Sequence, residues 1–309
     1  MSLIINVATP VGMVMAADSR QSYRNQKGMA RIGSDNATKL VAVTGRVSVG
    51  IAGVAFLESN GSLRNVGDFL LEMNRKGSME SLDVAEISKR IYERYSAIYN
   101  WREQLALAKS NAEDEIRRKG FRTVSVRDEG NRSVFTVDNN GQSETLVVGI
   151  DPLNFIVAGY NKDGSYETDI VYIPGEILKK RDSRVKGLES GASWIGQTDV
   201  VTRIILGYDP RIQNIKCVGE MARSIGMDAY VQSMRNLEYV INWATMSLQD
   251  AIDLSTLLIK TTSAVQRFSD GIVAEPGDMP GVGGDIDVLV IQADAGISWI
   301  SRKELRING

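Results

Sequence analysis

Apolar and polar positions along the chain switch between a strand-like and a helix-like rhythm. Leu3 to Ala8 is a short apolar, partly β-branched run, Thr9-Pro10 breaks it, and Val11 to Ala17 continues it. This predicts a hairpin at the start of the chain. Polar residues 19–36 read as loop or irregular hairpin, and Lys39 to Val43 and Val47 to Ala52 read as two further strands turning at Thr44-Gly45-Arg46. Helical spacing then takes over. Phe56 to Arg75 places Leu63, Val66, Phe69, Leu70 and Met73 on one stripe. Asp83 to Glu86 has the form of a capping box and opens a stripe of Val84, Ile87, Ile91, Tyr95, Ile98 and Leu105. That pattern reaches about Lys119, either as one long interaction helix or as two helices broken near Asn100.

From Phe121 to Ile173 the rhythm is β again, with strands at Val134 to Val137, Thr145 to Ile150, Phe155 to Tyr160 and Asp169 to Ile173. Asp138-Asn139-Asn140-Gly141 reads as a hairpin turn, since the later ligands of a calcium loop are misplaced. A short helix capped by Thr198-Asp199, a helix over Asp228 to Trp243, and a periodic helix from Ser247 to Arg267 follow. A loop rich in Gly, Pro and Asp covers 269–284, and strands at Ile286 to Ile291 and Ile297 to Ile300 close the pattern. Short turns between strands imply mainly antiparallel sheets. Apolar residues on both parities of several strands imply burial on both faces, which two stacked sheets with helices outside would satisfy. The fold class expected is therefore α+β, over a single domain spanning 1–309.

Composition sharpens this picture mainly by an absence. The 309 residues contain no histidine, so Ser-His-Asp and Cys-His machinery and imidazole-built zinc sites are excluded within the chain. Any general base must be a carboxylate, a lysine or a terminal amine. A formal net charge of −2 with both signs dispersed argues against nucleic-acid and membrane partners. No signal peptide or membrane-length apolar run is recognisable, and Cys217 is the single cysteine. A cytoplasmic protein is the expectation. Cys217, Trp194, Trp243, Tyr92, Tyr95 and Tyr99 read as structural or incidental rather than chemical.

Gly12-Met13-Val14-Met15-Ala16-Ala17-Asp18-Ser19-Arg20 resembles the second-strand signature of proteasome β subunits and their bacterial relatives, among them the Anbu family and the peptidase of the ATP-dependent two-ring protease. Thr38-Lys39-Leu40 and Ile51-Ala52-Gly53 are similar to two further family segments at matching spacing. Gly283 to Ile291 is similar to the family's Gly-Gly-x-Ile-Asp-Val strand. Gly196-Gln197-Thr198 lies where the family has Gly-Ser-Gly, without the serine, and residues around 100–150 look like an insertion.

The resemblance implies a four-layer αββα sandwich, the Ntn-hydrolase fold, and puts Ser2 on the family's catalytic N-terminal position once Met1 is removed. Methionine aminopeptidases accept a small second residue such as serine, so no propeptide is required. The α-amino group of Ser2 would then serve as base, which suits a chain without histidine. By the same resemblance Lys39 lies beside the Ser2 hydroxyl, Asp18 fixes Lys39, and the Gly53 N–H forms part of the oxyanion hole. Asp270, with Asp278 as a rival, is the acidic residue after the late helix. The implied activity is hydrolysis of peptide or other amide bonds by a homo-oligomeric ring, with no cofactor or metal and with any ATPase or accessory partner undefined. The alternative is a non-catalytic proteasome-like ring subunit, which a retained Met1 would enforce by capping the amine.

Overall fold

A computed structural model describes residues 2–25, 29–59, 61–272, 275–276 and 279–304. The chain opens with β1 (Leu3–Thr9) and β2 (Gly12–Ala17), then the short hairpin β3 (Gln21–Arg24) and β4 (Ala30–Ser34). β5 (Leu40–Ala42) and β6 (Val47–Gly53) follow, then a second hairpin of β7 (Phe56–Ser59) and β8 (Ser62–Asn65). The helices α1 (Val66–Met73), α2 (Val84–Ile98) and α3 (Trp101–Arg118) come next. Strands β9 (Arg122–Glu129), β10 (Arg132–Asn139), β11 (Gln142–Gly149), β12 (Leu153–Tyr160), β13 (Tyr166–Ile173), β14 (Ile177–Asp182) and β15 (Gly191–Gly196) fill the middle. The last third holds α4 (Asp199–Leu206), α5 (Lys216–Ile225), α6 (Met227–Met234), α7 (Leu248–Phe268), β16 (Gly271–Ile272), β17 (Glu275–Pro276), β18 (Asp287–Gln292) and β19 (Gly296–Ser301).

The protein is thus mixed α/β, with several antiparallel sheets and seven α-helices among the described residues. One five-stranded sheet has the order β15-β1-β2-β18-β19, and a second has the order β14-β13-β12-β6-β5. Sequence-distant strands meet in both: β2 pairs β18 with Met15 opposite Leu289, and β6 pairs β12 with Ile51 opposite Phe155. Every residue of β1 and β2 is buried, and the alternation of their side chains explains how. Ile4, Met13 and Met15 share one core cluster with Leu40, Ile156 and Ile170 of the other sheet. The opposite parity, Ile5, Val7 and Val14, packs with Val201 of α4 and Leu258 and Ile259 of α7. Likewise Val49, Val157 and Val171 pack with Phe69 and Leu70 of α1 and Ile87 and Ile91 of α2. Each fully buried aliphatic side chain contributes roughly 1.5–3 kcal/mol, so these strands are held from both faces.

Several sequence expectations are corrected. The helix read over Phe56 to Arg75 begins only at Val66, because Gly61 adopts φ +73° in a hairpin turn and Asn65 caps Gly67 N–H at 2.8 Å. The pattern from Val84 to Lys119, by contrast, breaks near Asn100 as one of its two readings had it: two helices are parted at Tyr99 and Asn100, whose backbones leave the helical region. Residues 101–149 form α3 and the three-stranded sheet β11-β10-β9, joined by a small core of Ala112, Ile116, Phe135 and Val137. The helix read over Asp228 to Trp243 ends at Met234. β9, β14, β15 and α5 carried too few consecutive apolar residues to announce themselves. Among the described residues no helix is long and apolar enough to cross a membrane.

Candidate active site

The centre of the site is a carboxylate set at the end of a core strand. Asp18 follows β2 directly and is 1% exposed. Its Oδ1 accepts from the Leu3 N–H and from Lys39 Nζ, both at 2.8 Å. Its Oδ2 accepts from the N–H groups of Arg20 and Gly283, both at 3.1 Å. One side chain therefore ties β1, the residue before β5 and the segment before β18 to the end of β2.

Lys39 is the cationic partner, 6% exposed, with its Nζ also donating to the Arg20 carbonyl. Burial pushes the Lys39 ammonium below its ordinary pKa, and the charges of Lys303 and Arg20 act in the same direction. The Asp18 carboxylate opposes this without reversing it. Arg20 is itself occupied by Asp35, at 2.7 and 3.0 Å, and that pair lowers the pKa of Asp35 while raising that of Arg20.

Ser2 lies at the head of β1, buried, with its carbonyl oxygen accepting the Gln197 N–H at 2.7 Å. Gly196 makes that contact possible. It adopts φ +96°, and a Cβ there would stand 1.9 Å from the Ser2 carbonyl oxygen. Gly53 ends β6 with φ +99°, and a Cβ there would stand 1.8 Å from the Pro152 carbonyl oxygen, so no other residue fits either turn.

Ser2, Lys39, Gly53, Asn154, Gly196 and Gln197 line one cleft of about 460 Å³. The walls bring together residues from the starts of β1 and β5, the ends of β6 and β15, and the start of β12. Ile51, Val54 and Phe56 make part of the wall apolar. A larger groove of about 690 Å³ lies along α7 and β19, bordered by Lys260, Arg267 and Arg302, and contains none of Ser2, Asp18, Lys39 and Gly53.

Of the residues singled out in the sequence, Ser2, Lys39 and Gly53 thus share a cleft, and Asp18 sits behind it on Lys39. Asp270 is exposed just beyond α7 and is absent from the cleft wall. Met1 and Asp278 lie outside the described residues. Cys217 is exposed at the start of α5. Trp194 and Trp243 pack against the α7-side core, and Tyr95 and Tyr99 against the α2-side core, as structural residues do. Among the described residues no group of three or more His, Cys, Asp or Glu side chains is placed to hold a metal ion.

Two glutamines were missed in the sequence. Gln266 of α7 donates to Gln197 Oε1 at 3.2 Å, and its own Oε1 accepts the N–H groups of Gly281 and Val282 at 2.9 Å each. Their signals were present. Gln266 continues the buried α7 stripe of Ser255, Ile259 and Thr262 as a polar residue, and Gln197 occupies the place of an expected serine.

No family model matches the chain, and no curated protein matches it. Among solved structures the chain is similar to Anbu (ancestral beta-subunit) from Yersinia bercovieri. The two share 11% identity over 97% of this chain and 87% of that chain, with a TM-score of 0.49.

Proposed function

We propose that this chain is an N-terminal serine hydrolase of the proteasome β-subunit type, cleaving peptide or other amide bonds through an acyl-enzyme on Ser2. The observation that carries this reading is the convergence of Ser2, the buried Lys39–Asp18 pair and the positive-φ Gly53 on one cleft, from segments far apart in sequence. Two sheets sharing an apolar cluster, each with helices on its other side, fit the αββα sandwich of such enzymes.

The chemistry follows from the groups present. Removal of Met1 frees an α-amine with an unperturbed pKa of roughly 7.7–8.0. The Lys39 cation disfavours a second positive charge nearby, which keeps that amine neutral and able to take the hydroxyl proton. Ser2 Oγ then adds to the substrate carbonyl carbon. The Gly53 N–H faces the developing oxyanion, and the glycine lets the carbonyl approach the backbone. Collapse expels the amine with the transferred proton, and water releases the acyl group from Ser2. Asp18 holds Lys39 in place, its two oxygens receiving four donors.

The test is the intact mass of untagged protein before and after a β-lactone probe. Loss of Met1, with an adduct that is absent in Ser2→Ala, is the expected result. Retained Met1 with no adduct overturns the reading in favour of a non-catalytic ring subunit. Assembly into a homo-oligomeric ring belongs to the same proposal, supported by exposed Met221, Ile225, Met227 and Val231 on α5 and α6. Light scattering at monomer mass would count against it.

A further inference from the structure

The Gln266–Gln197 pair has a defined polarity. Backbone N–H groups only donate, so the atom of Gln266 that meets the Gly281 and Val282 N–H groups must be its oxygen. The amide nitrogen of Gln266 therefore faces Gln197, and Gln197 must answer with its own oxygen. This fixes both carboxamides by their network rather than by assignment. The Gln197 Nε2 group, with two N–H donors, is left pointing away from Gln266, and among the described residues it has no hydrogen-bond partner. Gln197 lines the cleft beside Ser2 and Gly53, and its backbone is tied to the Ser2 carbonyl. A donor in that position, held at both ends and free at its tip, is placed for an acceptor that arrives with the substrate.

We propose that Gln197 donates a side-chain N–H to the oxygen of the carbonyl attacked by Ser2, as a second oxyanion donor beside the Gly53 N–H. The inference rests on Ser2 being the nucleophile. When Ser2 Oγ bonds to the carbonyl carbon, the C=O π pair moves onto oxygen and the hydroxyl proton passes to the Ser2 amine. Gln197 and Gly53 then share the negative oxygen between two neutral donors. Gln266 is a positioning residue: it touches no substrate, but it decides which end of Gln197 faces the cleft.

The experiment is the acylation of Ser2 by a β-lactone, followed by mass spectrometry over a concentration series that separates the maximal rate from the half-saturating concentration. A preorganised side-chain donor of this kind is worth about 10²–10³ in rate. Gln197→Ala should lower the maximal rate by that factor, with half-saturation changed less than about threefold. Gln266→Glu supplies an independent reading. Its carboxylate still accepts from Gly281 and Val282, but its second oxygen cannot donate, so Gln197 turns its nitrogen toward it and presents oxygen to the cleft. A comparable rate loss is expected in Gln266→Glu with an unchanged thermal midpoint, and the double variant should be no slower than Gln197→Ala alone. Wild type without a Ser2 adduct overturns both this inference and the proposed function. A wild-type adduct with Gln197→Ala or Gln266→Glu reacting within twofold of the wild-type rate overturns this inference alone.

Discussion

Replacing Asp18 with asparagine tests how far the site and the core share the same atoms. Each Asp18 oxygen receives two donors, so an asparagine amide turned either way sets its NH2 group against two of them. Turned toward Arg20 and Gly283, it leaves two buried backbone N–H groups without acceptors, at about 1–3 kcal/mol each. It also leaves the Lys39 ammonium, 6% exposed, without its counter-charge. The combined cost should reach about 4 kcal/mol or more. Lys39→Met is the informative comparison. It removes one donor, while the carboxylate keeps the Leu3, Arg20 and Gly283 N–H groups, so the cost should fall near the lower end of the roughly 3–5 kcal/mol seen when buried pairs are broken. Urea unfolding of both variants, at unchanged m, measures the difference. The expected order is wild type, Lys39→Met, then Asp18→Asn as the least stable. An Asp18→Asn variant within about 1 kcal/mol of wild type, or a Lys39→Met variant less stable than Asp18→Asn, would refute the reasoning.

Two further predictions concern the turn at Gly53 and the buried Asp169. Gly53→Ala combines φ +99° with a Cβ driven into the Pro152 carbonyl, so stability should drop by at least about 1–3 kcal/mol and Ser2 acylation should fail. Gly45→Ala, with nothing within 4 Å of the added methyl, should melt like wild type, and equal thermal midpoints for the two variants would contradict the geometry. The Asp169 carboxyl is held above its ordinary pKa chiefly by burial, with Asp182 adding to the shift and Ser88 and Lys179 opposing it. Between the unfolded and folded pKa values the folded chain holds a proton that the unfolded chain has lost, so stability falls as pH rises through that window. Asp169→Asn should therefore raise the melting temperature at pH 7 and do so less at pH 4. A variant that melts at or below wild type at pH 7 refutes this.

Much of the fold was legible because the strands that build it are buried on both faces. β1, β2, β6 and β12 read as continuous apolar runs, and the β1–β2 pairing needed only a short turn, whereas the pairing of β6 with β12 spans a distance no local pattern records. Elements with one exposed face were harder. β9 has seven of its eight residues exposed, so no apolar period announced it. α5 buries only Gly219 and Ala222, small residues that leave no stripe to read. The β7–β8 hairpin was misread because Leu63, Val66, Phe69 and Leu70 happen to fall at helical spacing, although Leu63 is exposed on a strand. The site divides in the same way. Asp18 and Lys39 were found because the segments that carry them, Gly12 to Arg20 and Thr38 to Leu40, resemble family segments. Gln197 and Gln266 each left a local signal, but their pairing did not, because it is a contact between residues 69 positions apart that no local pattern records.

That division has a physical cause with consequences for the chemistry. Three anchors of the cleft use backbone groups at or near strand ends: the Leu3 N–H on Asp18, the Ser2 carbonyl on Gln197, the Pro152 carbonyl against Gly53. Such contacts hold the cleft residues without further side chains, and the proposed mechanism draws its base, cation and oxyanion donors from groups held this way around about 460 Å³. The cost is that the site cannot be altered independently of the sheets. A change at Asp18 loosens β1, and with it Ser2, the proposed nucleophile. The side chain of Gln197 is the exception: its tip is free, it is held by a single hydrogen bond from α7, and its loss removes no backbone anchor. Rate and stability should therefore separate at Gln197 and stay coupled at Asp18, and that contrast distinguishes a donor added to a rigid frame from the frame itself.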